Sequence, residues 1–209
     1  RGETTSVLCV ALVDPGGRFV HAWTSTHRRN ESIERKPLQR LLRAAIDEVR
    51  EKDPEAKVLI VRDGRLFEKE EAESYLEALG GRTTLVELRK RGNPPLFVGS
   101  PPGPPRTPVF ASVPGLKGGK HVGFMVTLPR SDQGDFDSVL KVHWEDRWNG
   151  LKLGEENMAK LLSALTYTPG LGNHPRYLPA PVYWADGIAG ASDDDLRFRG
   201  RPVTQIDYR

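Results

Sequence analysis

The sequence predicts an α/β domain in which a mixed β-sheet carries helices on both faces. Three observations support this fold class: a predicted hairpin opens the chain, helical and extended segments then alternate, and the central strands are short apolar runs. Apolar runs without polar alternation are typical of strands that are covered on both faces of a sheet. The length of 209 residues fits one domain, or a domain that is part of a longer protein.

A hairpin and an amphipathic helix are predicted in the first fifty residues. Residues 6–13 form an apolar run of strand length, residues 14–17 (DPGG) supply a turn, and residues 18–24 alternate as the returning strand. Pro37 then begins a helix, since proline suits the first helical turn. The apolar residues of this helix recur with the spacing of one buried face; they are Leu38, Leu41, Leu42, Ala45, Ile46 and Val49.

Periodicity and turn residues predict the remaining elements in the same way. Residues 57–62 (KVLIVR) form a short apolar strand, and Asp63 directly follows it. Proline and glycine crowd residues 92–108, which predicts an irregular loop. The other predicted elements are helices at about 68–79, at 155–165 and from 180, strands at 83–88, 109–113, 121–128 and 139–144, and a charged tail at 191–209.

Composition narrows the classes of protein without selecting one. The formal net charge is +3 and the pI is about 9.0, which is compatible with a polyanionic partner but does not require one. Cys9 is the single cysteine, so a disulfide framework within the chain is excluded and a cytoplasmic setting is expected. No apolar stretch reaches the length of a membrane span, and the N-terminus shows no signal-peptide pattern. The five histidines lack the spacing of a zinc site.

Three acidic residues are candidates for chemistry. Asp63 follows a predicted strand, and ligands of open α/β sheets bind just outside the carboxyl ends of strands. Asp186 lies in the apolar, aromatic helix that starts near residues 179–181 (PAP), where an unpaired carboxylate is costly. Glu31 lies in a charged loop. Carboxylates that meet from separate elements suit a hard divalent cation, although each residue also fits a turn, a cap or a solvated surface position.

Two motifs, in this order, resemble the PIWI domain of Argonaute-like proteins of the prokaryotic type. Residues 58–65 (VLIVRDGR), followed by an acidic helix and by residues 85–91 (LVELRKR), are similar to the middle of that domain. Residues 177–186 (YLPAPVYWAD) are similar to the motif that carries its last active-site residue. The resemblance covers nearly all of residues 1–209 and implies an RNase H-like fold.

The resemblance implies a tetrad of acids that binds Mg²⁺ or Mn²⁺ and cuts a target strand opposite its guide. Asp63 corresponds to the mid-chain aspartate, Asp186 to the final acid and Glu31 to the mobile glutamate. The family's first aspartate lies on a strand before the hairpin, so the chain is expected to be N-terminally incomplete and inactive by itself. Asp14 lies in the turn at the tip of the hairpin instead. Gly187 stands where similar proteins often have a basic residue.

Three basic residues are predicted to bind nucleic acid. Arg89, Lys90 and Arg91 leave a strand at the position that faces the guide backbone in the family. Phosphate contacts give affinity without reading sequence, which suits a protein whose specificity comes from base pairing. A solvated basic turn is the alternative. The implied partners are a guide, a complementary DNA or RNA target, and a MID domain in the same or a companion chain; no membrane partner is expected.

The predicted function is guide-directed nucleic-acid binding with metal-dependent endonucleolytic cleavage of the target by the intact protein. The alternative is a catalytically inactive module that binds guide and target and recruits a partner. An RNase H-like nuclease of another kind, such as a resolvase or a transposase core, would share the acids but not the Pro-Ala-Pro stretch before Asp186.

Overall fold

The structure, a computed structural model, describes residues 5–28, 35–64, 75, 81–94, 96–97, 99–100, 109–127, 139–167 and 176–199. Its strands are β1 (Thr5–Val13), β2 (Phe19–Arg28), β3 (Val58–Asp63), β4 (Thr83–Arg89), β5 (Val109–Ser112), β6 (Lys120–Val126) and β7 (Val139–Glu145). Its helices are α1 (Arg35–Lys52), α2 (Glu155–Ala164) and α3 (Ala180–Arg199), with a 3-10 helix at Asp146–Trp148.

Strands β1 and β2 form the predicted hairpin as a two-stranded antiparallel sheet. The turn between them is closed by Asp14, whose carboxylate accepts a hydrogen bond of 2.9 Å from the Arg18 amide. Helix α1 packs against both strands. Its apolar face is buried as the periodicity predicts, at Leu38, Leu41, Leu42, Ala45 and Ile46.

The other strands form a five-stranded mixed sheet in the order β3-β4-β7-β6-β5. Strand β4 lies parallel to β3 and antiparallel to β7, and the pairs β7-β6 and β6-β5 are antiparallel. Every residue of β4 before Arg89 is buried, because this strand lies between β3 and β7 and other elements cover both of its faces. The parallel pairing brings the carboxyl ends of β3 and β4 to the same end of the sheet.

Helices cover both faces of this sheet. On one face, Val86 and Leu88 of β4 pack in a buried cluster with residues of α2 and α3. On the other face, Leu85 packs in a second cluster with residues of α1 and with Leu8 of β1. The predicted α/β class, a mixed sheet with helices on both faces, is therefore confirmed. Within the described residues, no helix is both long enough and apolar enough to cross a membrane.

Two elements differ from the prediction, and a third lies almost entirely outside the described residues. The sequence predicts that the run before Asp63 is a strand covered on both faces, but every residue of β3 is only partly buried. The reason is that β4 is its single strand partner among the described residues. Helix α3 continues to Arg199, beyond residue 191 where the tail is predicted to begin. The helix predicted at 68–79 lies outside the described residues except for Tyr75, which is buried.

A cavity of about 250 Å³, which we call the inter-sheet slot, separates the two sheets. Residues 7–12 of β1 line it, and so does the whole of β3, Val58–Asp63; residues of α1 and α3 complete the lining. No described strand pairs with either of these two strand edges. Cys9 lies partly buried in the slot, and burial raises the pKa of its thiol to about 12, so the thiol is uncharged at neutral pH.

Candidate active site

Asp63 and Asp186 meet at the carboxyl end of β3. Asp63 is the last residue of that strand, and Asp186 lies in the second turn of α3. The ammonium of Lys90 lies between them, 2.7 Å from Asp63 Oδ2 and 2.8 Å from Asp186 Oδ1. Since one nitrogen contacts both carboxylates, the two oxygens lie within about twice a hydrogen-bond length of each other. The structure therefore brings together two of the three predicted acids.

The backbone explains this convergence. Asp63 pairs with Leu88 in the parallel register of β3 and β4, so Lys90 leaves β4 beside Asp63. Gly64 turns the chain away with φ of +86°, a conformation that glycine adopts without a steric penalty. The Gly64 amide also donates a 2.8 Å hydrogen bond to the Leu88 carbonyl. Val182, buried in the core, holds the start of α3 over the same end of the sheet.

The site combines one positive charge with two negative charges. Burial by itself lowers the pKa of Lys90, but the hydrogen bonds and negative charges of Asp186 and Asp63 outweigh it and hold this pKa above its ordinary value. Lys90 is therefore a cation at neutral pH. The side chains of Asp63 and Asp186 are 36% and 53% exposed, so ions in solution reach both.

Tyr177 supports the site from the segment before α3. Its hydroxyl donates a 3.3 Å hydrogen bond to the Lys90 carbonyl, and its own carbonyl accepts a 2.7 Å hydrogen bond from the Thr127 hydroxyl. Burial, with the negative charge of Asp63 adding to it, raises the pKa of Tyr177 to about 12. Tyr177 is thus a neutral donor that fixes the backbone of Lys90. Tyr177 is not among the predicted site residues, although it is the first residue of the motif that ends at Asp186.

The three basic residues predicted to face a guide have different surroundings. The Arg89 guanidinium contacts the carboxylate of Glu87, which is 2% exposed and lies 3.3 Å from His143 Nδ1. Lys90 contacts the two aspartates, as described above, and Arg91 is exposed. Two of the three are therefore engaged with carboxylates of the chain itself. Contact between these residues and a guide stays a prediction.

The donor atoms at the end of β3 suit a hard divalent cation. Magnesium and manganese prefer oxygen ligands, and carboxylates supply them. Asp63 and Asp186 already share one cation, the Lys90 ammonium, so their arrangement fits a shared ion. Within the described part of the chain, no group of three His, Cys, Asp or Glu side chains is placed to hold a metal. Glu31, the predicted third acid, lies outside the described residues.

Comparison with known proteins identifies structural neighbours but no sequence relatives. No protein-family model matches the chain, and no curated protein sequence matches it. The Argonaute of Aquifex aeolicus is similar over 99% of this chain, with a TM-score of 0.60 and 19% identity. The Argonaute of Marinitoga piezophila, solved with a 5′ OH guide RNA, is similar over 90% of it, with a TM-score of 0.60 and 18% identity.

A third neighbour is the Argonaute of Clostridium butyricum bound to a guide DNA and a 19-mer target DNA. It is similar over 91% of this chain, with a TM-score of 0.58 and 18% identity. The chain spans only 28%, 28% and 27% of the lengths of these three Argonautes. At such low identity the likeness shows the fold alone, and that fold is RNase H-like α/β.

Proposed function

We propose that this chain is a PIWI-type domain that holds a nucleic-acid guide paired with its target and cuts the target with a divalent cation. The observation that carries the proposal is that Asp63 and Asp186 lie together at the carboxyl end of two parallel strands, where both contact the Lys90 ammonium. The Argonaute neighbours support the nucleic-acid part, since two of them were solved with guide strands. A MID domain in the same or a companion chain, and a cytoplasmic setting, belong to the same proposal.

Each group in the site has a role in this proposal. Asp63 and Asp186 would hold Mg²⁺ or Mn²⁺, and Glu31 would complete the ligand set. The chemistry that such an ion supplies when bound is activation of water and stabilisation of the leaving oxygen in phosphodiester hydrolysis. Strand β3 and helix α3 orient the two carboxylates. Positive charge at residues 89–91 would attract the phosphate backbone.

We also propose that an extended segment fills the inter-sheet slot in the intact protein. Support comes from the two facing strand edges, of β1 and β3, with which no described strand pairs. One strand between them would satisfy the backbone groups of both edges and join the two sheets into one. The resemblance to PIWI domains implies such a strand before the hairpin and an aspartate on it, which would lie close to Asp63.

The cleavage proposal is tested by guided cutting of a labelled target. The full-length protein is loaded with a short guide and incubated with complementary target and Mn²⁺, beside Asp63→Asn and Asp186→Asn versions. We expect product formation to fall by about a hundredfold or more, because changing even a partner that only orients a metal ligand typically costs about 10- to 100-fold in activity. Asp47→Asn removes an exposed acid from α1 and is the matched control, with wild-type activity expected. Product unchanged by Asp63→Asn would overturn the site.

The second candidate function is a module that binds guide and target without cutting. The observation that favours it is the Lys90 ammonium, which offsets part of the negative charge of Asp63 and Asp186 without a metal. Filter binding of the same samples distinguishes the two functions. A non-cutting module would retain target in a guide-dependent way and yield no product with either wild type or Asp63→Asn.

A further inference from the structure

We infer that Lys90 and a divalent cation compete for Asp63 and Asp186, so that a cation can enter the site only when the Lys90 ammonium leaves it. The inference rests on the proposed function, because it concerns the same two carboxylates. The ammonium lies 2.7 Å from one and 2.8 Å from the other, which is the position that a shared cation would take. Two positive charges at such close distance repel each other strongly where solvent is partly excluded.

The geometry lets the Lys90 side chain leave while its backbone stays. Lys90 directly follows β4, and its carbonyl accepts the hydrogen bond from the Tyr177 hydroxyl. Its side chain is 25% exposed and carries the ammonium on a flexible four-carbon stem. A swing toward solvent therefore needs no change in the sheet.

Lys90 is thus a positioning residue for the site without metal. Two carboxylates that lie close together repel each other when both are ionised. The ammonium between Asp63 and Asp186 offsets that repulsion and keeps β3 and α3 aligned at this point. The same contact raises the concentration of divalent cation that the site needs for loading.

The test measures Mn²⁺ binding to the full chain without nucleic acid, by electron paramagnetic resonance of the free ion. Lys90→Met keeps the length of the side chain and removes its charge. We expect about tenfold tighter Mn²⁺ binding, which corresponds to about 1.4 kcal/mol, because the two partly exposed ion pairs that wild type must break are each weak. Adding Asp63→Asn to Lys90→Met should abolish the gain.

Lys57→Met is the matched control. Lys57 is exposed and precedes β3 at the end opposite to Asp63, about 20 Å away for a strand of this length. The same charge is removed, so unchanged Mn²⁺ affinity shows that the effect of Lys90→Met is local. Lys90→Arg keeps the positive charge and should bind Mn²⁺ no more tightly than wild type. Lys90→Gln is a second uncharged variant for the case in which Lys90→Met does not fold.

The outcomes separate the inference from the function on which it rests. Mn²⁺ binding by the uncharged variants that is equal to or weaker than that of wild type would overturn the competition and leave the metal site intact. A gain in Lys90→Arg equal to that in Lys90→Met would also overturn it. Failure of every version to bind Mn²⁺ in an Asp63-dependent way would overturn metal-dependent cleavage, and the competition with it.

Discussion

Glu48 connects the hairpin to helix α1 by contacting one residue from each. His21 Nδ1, on β2, lies 3.0 Å from one carboxylate oxygen, and Lys52 Nζ lies 2.8 Å from the other. The hydrogen bond from Lys52 is the main cause that holds the pKa of Glu48 below its ordinary value. Burial acts in the opposite direction, and the charges of Lys52 and His21 lower the pKa further. Ionised Glu48 therefore stabilises the fold above the unfolded pKa of about 4.3, and this contribution is lost as the pH falls further.

Glu48→Gln is expected to lower the free energy of unfolding by about 0.5–1 kcal/mol at pH 7, the range for partly exposed ion pairs. The difference from wild type should shrink as the pH falls below about 4.3, the unfolded pKa, toward 3.5, because the contribution of the ionised carboxylate is then progressively lost. Urea denaturation at several pH values measures this. Glu51→Gln, an exposed change on the same helix, is the control. A deficit of equal size at pH 7 and pH 3.5 would contradict the ionic role.

Sequence identifies the acids of the candidate site better than it identifies their partner. Asp63 and Asp186 are marked because each lies in a recognisable local motif, and the structure brings both to one point. Lys90 is predicted from the same motifs to face a guide, but its ammonium contacts the two acids. Its neighbours depend on the parallel register of β3 and β4 and on the docking of α3, and no local pattern encodes either.

At the scale of elements, the turn after the 3-10 helix depends on Gly150. A Cβ there would lie 2.6 Å from the Thr83 carbonyl oxygen and 2.7 Å from that of Gly81, and neither backbone atom moves easily. Gly150→Ala is therefore expected to lower the free energy of unfolding by about 1–3 kcal/mol. Gly190→Ala, at an exposed position of α3 where nothing lies within 4 Å of the new Cβ, should raise it by about 0.5–1 kcal/mol. Chemical denaturation compares the two, and equal effects would refute the crowding at Gly150.

Sequence periodicity predicts a helix such as α1, but it does not predict which strands lie at the edge of a sheet. Helix α1 has its apolar residues on one stripe, and the structure buries that stripe. Strand β3 has the apolar run of a central strand, yet it lies at the edge of its sheet. An apolar run indicates that other elements cover the faces of a strand, but it does not indicate whether another strand pairs with each of its edges. The exposure along β3 follows from the inter-sheet slot.

For the whole molecule, the inter-sheet slot predicts uneven hydrogen exchange. About half of the amides of β1 and of β3 point away from the single strand partner of each. We expect these amides to exchange faster than their neighbours that face β2 and β4, because backbone hydrogen bonds slow exchange. Nuclear magnetic resonance of the chain in D₂O resolves the two sets. The fast set should become protected in the full-length protein, and uniform protection in this chain would refute an open slot.

The division of the strands into two separate sheets is the feature of the fold that local sequence patterns predict least well. The hairpin, the strands and the helices follow from local patterns, and so does the α/β class. The gap between β1 and β3 depends on how the hairpin packs against the five-stranded sheet, and residues of β1, α1, β3 and α3 line it. The expectation of an additional strand comes from the resemblance to PIWI domains. The apolar residues of β1 and β3 do not indicate such a strand, because helices already pack against them.

Helix α3 has a consequence for the order in which the site forms during synthesis. Asp186 follows Lys90 by 96 residues, so a ribosome working at about 5–20 residues per second delivers it roughly 5 to 20 seconds later. Until α3 emerges and docks on β1 and β3, Asp63 and Lys90 have no second carboxylate beside them. A nascent or prematurely terminated chain therefore lacks the carboxylate pair, and the proposed metal site can form only after α3 has docked.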